Sequence, residues 1–224
     1  MRRFLKENSL SLVFGGLFLA TLVGQAFAGW HLLNDELFAE GLHQISFGRY
    51  LTSASFAVDV TENWQSEYLQ FLLYVVFTVW LLQRGSPESK SLEDAGKESD
   101  EKQKIGAYAQ DDSPRLARVG GIRTALYSRS LGLVMGTIFL MSWLVQSVAG
   151  WADFNETRLR QLRDPISWGS YLLNSDFWSR TLQNWQSEFL AVGSMAVLAI
   201  YLRQRGSPES KPVGSPHEAT GIEG

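Results

Sequence analysis

The sequence predicts an all-α integral membrane protein with four transmembrane helices, built as two parallel two-helix repeats with additional short interfacial helices. Three observations lead to this fold class. Apolar residues are concentrated in four blocks, the second half of the chain repeats the first, and lysine and arginine are concentrated in alternate segments between the blocks. Together they indicate helices that cross a membrane in a defined order.

Four apolar blocks are the candidate membrane spans. They comprise residues 9–30, 64–82, 131–151 and 189–202. The first and third supply about 20 residues without a charge, which at roughly 1.5 Å per residue suffices for a hydrocarbon core of about 30 Å. The second and fourth are shorter, and they reach spanning length only if the bilayer accepts Glu67 and Glu188 near one end.

The first block also resembles a secretory signal peptide. Residues 1–6 are basic, and the apolar run ends at residues 26–28 with Ala-Phe-Ala. The run is nevertheless longer than the apolar region of a signal peptide, which has about 7 to 15 residues. A matching segment, residues 148–151, also occurs deep inside the chain. We therefore expect a retained helix.

The chain contains an internal duplication. Residues 8–90 align without a gap with residues 129–211, with 34 identities in 83 positions. Each copy would cross the membrane an even number of times, so both copies have the same orientation, as in parallel transporter repeats. The expected regions are a first membrane repeat at 1–90, a cytoplasmic, largely disordered linker at 91–128, a second membrane repeat at 129–211 and a cytoplasmic tail at 212–224.

The distribution of basic residues predicts the orientation. The N-terminus, residues 84–129 and the C-terminal tail together carry 15 of the 20 lysines and arginines. The positive-inside rule places both termini and the linker in the cytoplasm. Tryptophans near the ends of the four blocks would then mark the outer interface, where indole rings prefer to lie. These are Trp30, Trp64, Trp151 and Trp185.

The linker has two parts of different character. Residues 91–112 have high mixed charge and almost no apolar side chains, which is typical of disorder. Residues 115–129 interleave four arginines with apolar residues and could lie on the anionic inner leaflet as an amphipathic helix. A solvated basic stretch is the alternative, because Gly120 and Gly121 weaken a helix.

The two outer segments, residues 31–62 and 152–183, are too long for simple turns, and we expect short interfacial helices in them. They share an Asn, an Ile-Ser pair, a Tyr-Leu pair and a Phe at equivalent positions. A helix that starts near Ser55 or Asp176 would continue directly into the following membrane span.

A pentapeptide, Asn-Trp-Gln-Ser-Glu, occurs at residues 63–67 and recurs unchanged at residues 184–188, each time before an apolar run. In a helix, Asn63 and Glu67 lie on one face with Ser66 beside them. Only three of the fifteen positions that follow, 68–82, are identical between the copies. The pentapeptide is therefore constrained by more than contact with lipid.

A glutamine on the preceding helix completes each candidate cluster. Gln25 lies five residues inside Trp30, which places it roughly 7 to 8 Å below the outer interface. An amide and a carboxyl at this depth are expected to be hydrogen-bonding neighbours. The candidate polar clusters are Gln25, Asn63, Ser66 and Glu67 in the first copy and Gln146, Asn184, Ser187 and Glu188 in the second.

Two interpretations of these clusters remain open. An ionisable group at membrane depth indicates a functional site, since burying its charge at the centre costs at least about 2.5 to 3.5 kcal/mol. Alternatively, Glu67 and Glu188 are early helix residues that the helix dipole favours and that reach water. Packing between helices would also restrict the five residues, because interhelical polar contacts contribute roughly 0.6 kcal/mol each.

A second motif, Gln-Arg-Gly-Ser-Pro-Glu-Ser-Lys, follows each even-numbered apolar block at residues 83–90 and 204–211. Gly85 and Gly206 suit left-handed helix C-caps, and the prolines would stop the helix shortly afterwards. Capping does not demand the Ser, Glu and Lys of this octapeptide, so a contact with a partner or between the repeats is the alternative.

Enzyme signatures are missing from the sequence. Cysteine is absent, which excludes disulfides and Cys-based metal sites, and the three histidines form no HExxH or paired-His motif. No Walker loop, dinucleotide fingerprint or GxSxG elbow occurs. We expect no catalytic residues, no metal and no cofactor. We also expect no nucleic-acid partner.

These motifs resemble an uncharacterised family of bacterial integral membrane proteins that is known only as a domain of unknown function. The resemblance rests on Gly-Trp at the end of the odd-numbered blocks, Ile-Ser, Tyr-Leu, the pentapeptide and the octapeptide. It covers both repeats and implies a multi-pass protein of the bacterial inner (plasma) membrane. It implies no activity.

Two functions are compatible with these features. The first is a non-enzymatic scaffold, envelope-stress or partner-binding factor, in which the motifs hold helices together. The alternative is an ion, proton or small-solute pathway that uses the paired polar clusters. The expected partners are the lipid bilayer and a second copy of the chain or another membrane protein.

Overall fold

The computed structural model describes residues 2–222, and all regular structure in that range is helical. Nine α-helices follow one another along this part of the chain. They are α1 (Arg2–Glu7), α2 (Ser9–Ala39), α3 (Phe47–Leu51), α4 (Ala54–Phe77), α5 (Arg115–Arg118), α6 (Gly121–Tyr127), α7 (Ser130–Arg160), α8 (Trp168–Leu172) and α9 (Ser175–Tyr201). The expected all-α class is confirmed within these residues. The short helices α3 and α8 lie in the outer segments, as expected.

Among the described residues, two helices, α2 and α7, are long and apolar enough to cross a membrane, where the sequence analysis expects four. Each has 31 residues. The helices α4 and α9 do run without interruption into the second and fourth apolar blocks, as expected. Their outer turns are charged, however, and α4 ends at Phe77 rather than continuing to residue 82. The apolar part that remains helical is therefore short.

Three hydrogen bonds attach the outer loop after each long helix to the end of that helix. We call this set of three hydrogen bonds the bracket. The Trp30 indole N–H and the Asn34 amide N–H donate to the Ile45 carbonyl oxygen at 2.7 and 3.0 Å. The Ile45 N–H donates back to Asn34 Oδ1 at 2.8 Å. Trp151, Asn155 and Ile166 repeat this arrangement at 2.7, 3.0 and 2.9 Å. The shared Asn and Ile-Ser positions therefore fold the loop back onto its helix.

Replacing Asn34 with leucine is expected to destabilise the protein by about 1 to 3 kcal/mol, because the N–H of the half-buried Ile45 loses its acceptor. Asn155→Leu should have a similar effect, since its bracket has the same geometry. Gln161→Leu is the matched control, because Gln161 is an exposed amide in the loop that follows α7. Thermal unfolding in detergent measures all three. Equal midpoints for Asn34→Leu and Gln161→Leu would contradict the bracket.

The glycine before Trp30 is explained by a close approach of α3. A Cβ atom on Gly29 would lie 2.0 Å from the hydroxyl oxygen of Tyr50, which is buried. Any side chain at residue 29 would therefore displace the Tyr50 ring. The Gly-Trp and Tyr-Leu pairs of the first copy are two sides of one contact.

The chain forms two compact units that do not follow the two copies. One unit contains the chain up to Val60 together with Val145–Trp168, and the other contains Thr61–Leu144 together with the chain from Gly169 onward. Within the first unit, Arg160 Nη1 lies 3.2 Å from Glu40 Oε2 and links the two copies. The boundaries expected for the two repeats, the linker and the tail stay a prediction.

The linker contains little regular structure before residue 115. Leu92–Asp94 and Gly106–Tyr108 form single 3₁₀ turns. The basic stretch 115–129 is not one amphipathic helix, because Gly120, with φ +71°, separates α5 from α6. The glycines that weaken the helix in the sequence are the point at which it breaks. The expected disorder of the linker stays a prediction.

Candidate functional site

The two pentapeptides meet where α4 contacts α9. The Trp185 indole N–H donates to Gln65 Oε1 at 2.8 Å, and the Ser66 hydroxyl donates to Glu188 Oε1 at 3.3 Å. One turn earlier, Arg180 Nη1 lies 3.2 Å from Glu62 Oε2. We call these six residues the polar seam. Every contact in it joins one copy of the duplication to the other.

Helical spacing explains which residues form the polar seam. Glu62, Gln65, Ser66 and Leu69 are spaced i, i+3, i+4 and i+7, so they share one face of α4. Gln65 and Ser66 are 0% and 1% exposed, and Leu69 is also buried. On α9, residues 181, 185 and 188 share a face for the same reason. The seam is a helix–helix contact with polar side chains at its centre.

The two copies use the pentapeptide differently. The first copy contributes Gln65 and Ser66 to the seam, whereas their equivalents Gln186 and Ser187 are exposed on α9. The second copy instead contributes the indole of Trp185 and the carboxylate of Glu188. One identical sequence therefore supplies two complementary halves of a contact.

The candidate residues are distributed over three environments. Ser66 and Glu188 are brought together, while Asn63, Glu67 and Ser187 are exposed. Asn184 is half-buried and donates to the Arg180 carbonyl of its own helix at 2.9 Å. Sequence spacing groups Asn63, Ser66 and Glu67 on one side, but the buried edge of that side is Ser66 with Gln65.

The two glutamines of the odd-numbered helices differ in burial. Gln25 on α2 is half-buried. Gln146 on α7 is 1% exposed, and neither its Oε1 nor its Nε2 has a hydrogen-bond partner within residues 2–222. The expected hydrogen bond of Gln146 is therefore not formed, whereas that of Gln25 stays a prediction.

An aromatic cluster covers one side of the polar seam. The Trp143 ring of α7 lies 5.8 Å from Trp185, 6.1 Å from Phe177 and 6.3 Å from Trp178, between ring centroids. Its indole N–H donates to the Thr181 hydroxyl at 3.5 Å. These rings exclude water from the Gln65–Trp185 hydrogen bond and so strengthen it.

The octapeptides form a second contact between the copies, centred on a buried lysine. The ammonium of Lys211, which is 1% exposed, donates to the carbonyl oxygens of Gly85, Pro216, His217 and Ala219 at 2.6, 3.3, 2.9 and 3.2 Å. Burial, with Arg203 nearby, lowers the pKa of Lys211, while the four acceptors favour its protonated form. The octapeptides therefore make a contact between the repeats, which was one of the alternatives for this motif.

The segment after Lys211 is held on the first octapeptide. The Gly85 N–H donates to the Thr220 hydroxyl at 2.9 Å, and the Gly221 N–H donates to the Ser86 carbonyl at 3.1 Å. We call Gly85, Ser86, Lys211 and residues 216–221 the carbonyl clasp. Lys90, the equivalent of Lys211, instead lies 3.2 Å from Glu98 and donates to the Gly96 carbonyl.

The expectation that Gly85 and Gly206 are helix C-caps is wrong. Both have left-handed backbone, with φ +87° and +80°, but α4 ends at Phe77 and α9 at Tyr201, well before them. On α9, the Arg203 guanidinium donates to the carbonyls of residues 199 and 200 at 3.3 and 3.0 Å. A side chain thus satisfies the helix end, and the glycines are turn positions further along.

The family described as Domain of unknown function (DUF6766) matches residues 1–222. The chain belongs to this family. The expected resemblance to a family of unknown function is thereby confirmed. No curated protein and no solved structure matches the chain.

Several contact residues of this DUF6766 chain are not among the candidate site residues that the sequence predicts. Gln65 and Trp185 belong to the repeated pentapeptide, so identity of all five positions is the signal that points to them. Glu62 and Arg180 are not shared between the copies, and Trp143 corresponds to a leucine in the first copy. A comparison of the two copies therefore does not identify Glu62, Arg180 or Trp143 as contact residues.

Proposed function

We propose that the chain is a non-enzymatic protein of the bacterial inner membrane that crosses the bilayer four times, with both termini in the cytoplasm. The helices α2 and α7 support this proposal. In the most apolar 18-residue stretch of each helix, only 6% and 22% of the residues are buried within the protein. Core helices of a soluble fold would be mostly buried. Exposed apolar surface of this length is favoured in a hydrocarbon environment, which supports the proposed membrane location.

The helices α4 and α9 supply the other two spans in this proposal. Beyond Glu67 and Glu188, they expose large apolar side chains along their length, including Phe71, Phe77 and Leu198. The charged outer turns would stand at the interface, where the energetic penalty for a charge is small. The low number of basic residues in the two outer segments supports the orientation.

The proposed role of the repeated motifs is to hold the helices of a membrane scaffold or partner-binding factor together. The observation that carries this role is the hydrogen bond from Trp185 to the fully buried Gln65. The pentapeptides bind each other, which is what a packing motif does. Its partners would be a second copy or another membrane protein that contacts the exposed apolar faces.

The leucine variant at position 65 tests this role. Gln65→Leu removes the acceptor of the Trp185 indole N–H, and we expect a loss of about 1 to 2 kcal/mol. Gln186→Leu is the matched control, because it is the same change at the equivalent, exposed position. Thermal unfolding in detergent should separate the two variants. Equal midpoints would refute a packing role for the pentapeptide.

A second candidate function, an ion, proton or small-solute pathway, is favoured by Gln146. A buried amide without a partner is a group that water or a solute could bind. Proton flux into vesicles that contain the protein distinguishes the candidates. The scaffold predicts no flux above that of empty vesicles. If the double variant Glu67→Gln with Glu188→Gln abolishes a measured flux, the result favours the pathway. If the double variant leaves the flux unchanged, a pathway through these clusters is excluded.

A further inference from the structure

Residues 115–129, directly before α7, fold into two short helices that we call the elbow. Gly120, with left-handed backbone, separates α5 from α6, and the Thr124 hydroxyl donates across this break to the Leu116 carbonyl oxygen at 2.7 Å. Thr124 and Ala117 are buried, whereas every other residue of α5 and α6 is exposed. Helices of this length are not stable alone, so the hydrogen bond between them helps to fix the shape of the elbow.

The elbow carries a positive charge that no contacting carboxylate balances. It contains four arginines, Arg115, Arg118, Arg123 and Arg129. All four are exposed, and none forms an ion pair with a carboxylate of the described residues. Along the chain, the stretch between Asp112 and Asp153 contains no aspartate or glutamate. The elbow is therefore a basic surface that is complementary in charge to an anionic partner.

Aliphatic side chains are interleaved with the arginines on the same surface. Four of them are exposed, and Ile122 is 75% exposed. The other three are Leu116, Val119 and Leu126. Removal of such side chains from water is favourable, so their joint exposure indicates a partner that offers an apolar environment as well as negative charge. The head-group region of an anionic membrane has both properties.

The elbow is attached directly to a proposed membrane span. The helix α6 ends at Tyr127 and α7 begins at Ser130, so two residues separate them. The Arg129 guanidinium donates to the Ala125 carbonyl at 2.8 Å and is thereby held against the end of α6. The apolar block of α7 starts at Leu131. If α7 crosses the bilayer, the arginines lie close to the lipid head groups, where screening by salt is weakest.

We propose that the elbow binds the anionic phospholipid surface of the inner leaflet and so holds the end of the linker on the membrane. The inference rests on the proposed membrane location, with the linker in the cytoplasm. The arginines donate to phosphate oxygens through paired hydrogen bonds, and the aliphatic side chains enter the head-group region. A net negative charge on the lipid is required, because a zwitterionic head group carries a cation that offsets its phosphate.

The full-length variant Ile122→Cys, with a fluorophore on its single thiol, tests the proposal in nanodiscs of phosphatidylcholine with and without phosphatidylglycerol. Quenching by acrylamide, which is neutral and water-soluble, measures the exposure of the label. Phosphatidylglycerol should reduce quenching at least about threefold, since each arginine near an anionic surface adds roughly fivefold to binding. The same label at Asp100→Cys, in the acidic part of the linker, should show no reduction. Equal quenching of the label at residue 122 in both lipids would overturn the proposal.

Two double variants with the same change in charge locate the binding surface. Arg118→Glu with Arg123→Glu cancels the net charge of the elbow, and should restore the quenching measured without phosphatidylglycerol. Lys97→Glu with Lys104→Glu is the matched control, because both lysines are exposed in the preceding part of the linker. Its quenching should stay low. Equal shielding of the label in the two double variants would show that the elbow is not the binding surface.

Salt tests the same attachment without any change to the arginines. An ionic strength of about 1 M shortens the Debye length to about 3 Å, so the label at residue 122 should again be quenched as in phosphatidylcholine. Shielding that survives this salt would overturn an electrostatic attachment. Failure of the proposed membrane location is distinguishable, because the chain would then not be retained in nanodiscs of either composition, and the inference would fall with it.

Discussion

The Gly85→Ala variant is expected to be destabilised by roughly 2 to 4 kcal/mol, with release of the segment that follows Lys211. Two effects add. A Cβ atom would lie 2.5 Å from the His217 carbonyl oxygen and 3.0 Å from Ile200 Cγ2, and such overpacking costs about 1 to 3 kcal/mol. The left-handed backbone, with φ +87°, costs a further 1 kcal/mol or so for a residue with a side chain.

Gly206→Ala separates the two effects. Gly206 has almost the same backbone, with φ +80°, but a Cβ atom there would have nothing within 4 Å. We expect a loss of only about 1 kcal/mol from the backbone. Thermal unfolding measures the stability of the two variants, and limited proteolysis after residue 211 measures whether the tail is released. If both lose the same stability and neither gains a cleavage site, the clasp does not hold the tail.

The Lys211→Met variant is expected to lose about 3 kcal/mol of stability, because methionine fills a similar volume but removes the charged donor that four carbonyl oxygens share. The equivalent Lys90→Met should lose about 1 kcal/mol or less, since the Lys90 side chain is 29% exposed and its ion pair with Glu98 is screened by solvent. Unfolding in detergent at one pH compares them. A larger loss for Lys90→Met would contradict the clasp.

The two clasp variants should also be coupled. Gly85 provides one of the four acceptors of Lys211, so both substitutions break the same contact. Residues that share a contact are not additive. The double variant Gly85→Ala with Lys211→Met should therefore be less destabilised than the sum of the single variants.

Much of the helical fold follows from local sequence patterns. Continuous helices through the pentapeptides are expected because a helix that starts near Ser55 or Asp176 runs into an apolar block. Short helices are expected in the outer segments because these are too long for simple turns. Both are present. The end of α4 is not predictable in this way. The backbone leaves the helix after Phe77, and the Val79 carbonyl accepts a hydrogen bond from the Gly96 N–H at 2.7 Å, a contact with the linker.

The buried residues of the candidate site could not be predicted from one sequence. Helical spacing places Asn63, Ser66 and Glu67 on one side of α4, but it does not say which edge of that side a neighbour will cover. The charged Glu67 is the residue expected to matter, whereas the buried positions are Gln65 and Ser66. The acceptors of Lys211 are backbone carbonyls of Gly85 and of three tail residues, and no side-chain pattern indicates them.

The number of membrane crossings can be tested directly, because the chain contains no cysteine. Single cysteines at the exposed positions Leu42, Asp100 and Leu162 can be labelled in intact cells with an impermeant thiol reagent. Four spans with cytoplasmic termini predict labelling at 42 and 162, and at 100 only after the membrane is permeabilised. Labelling at 42 and 100 but not at 162 would mean that α2 and α7 cross the membrane while α4 and α9 do not, and it would contradict four membrane spans.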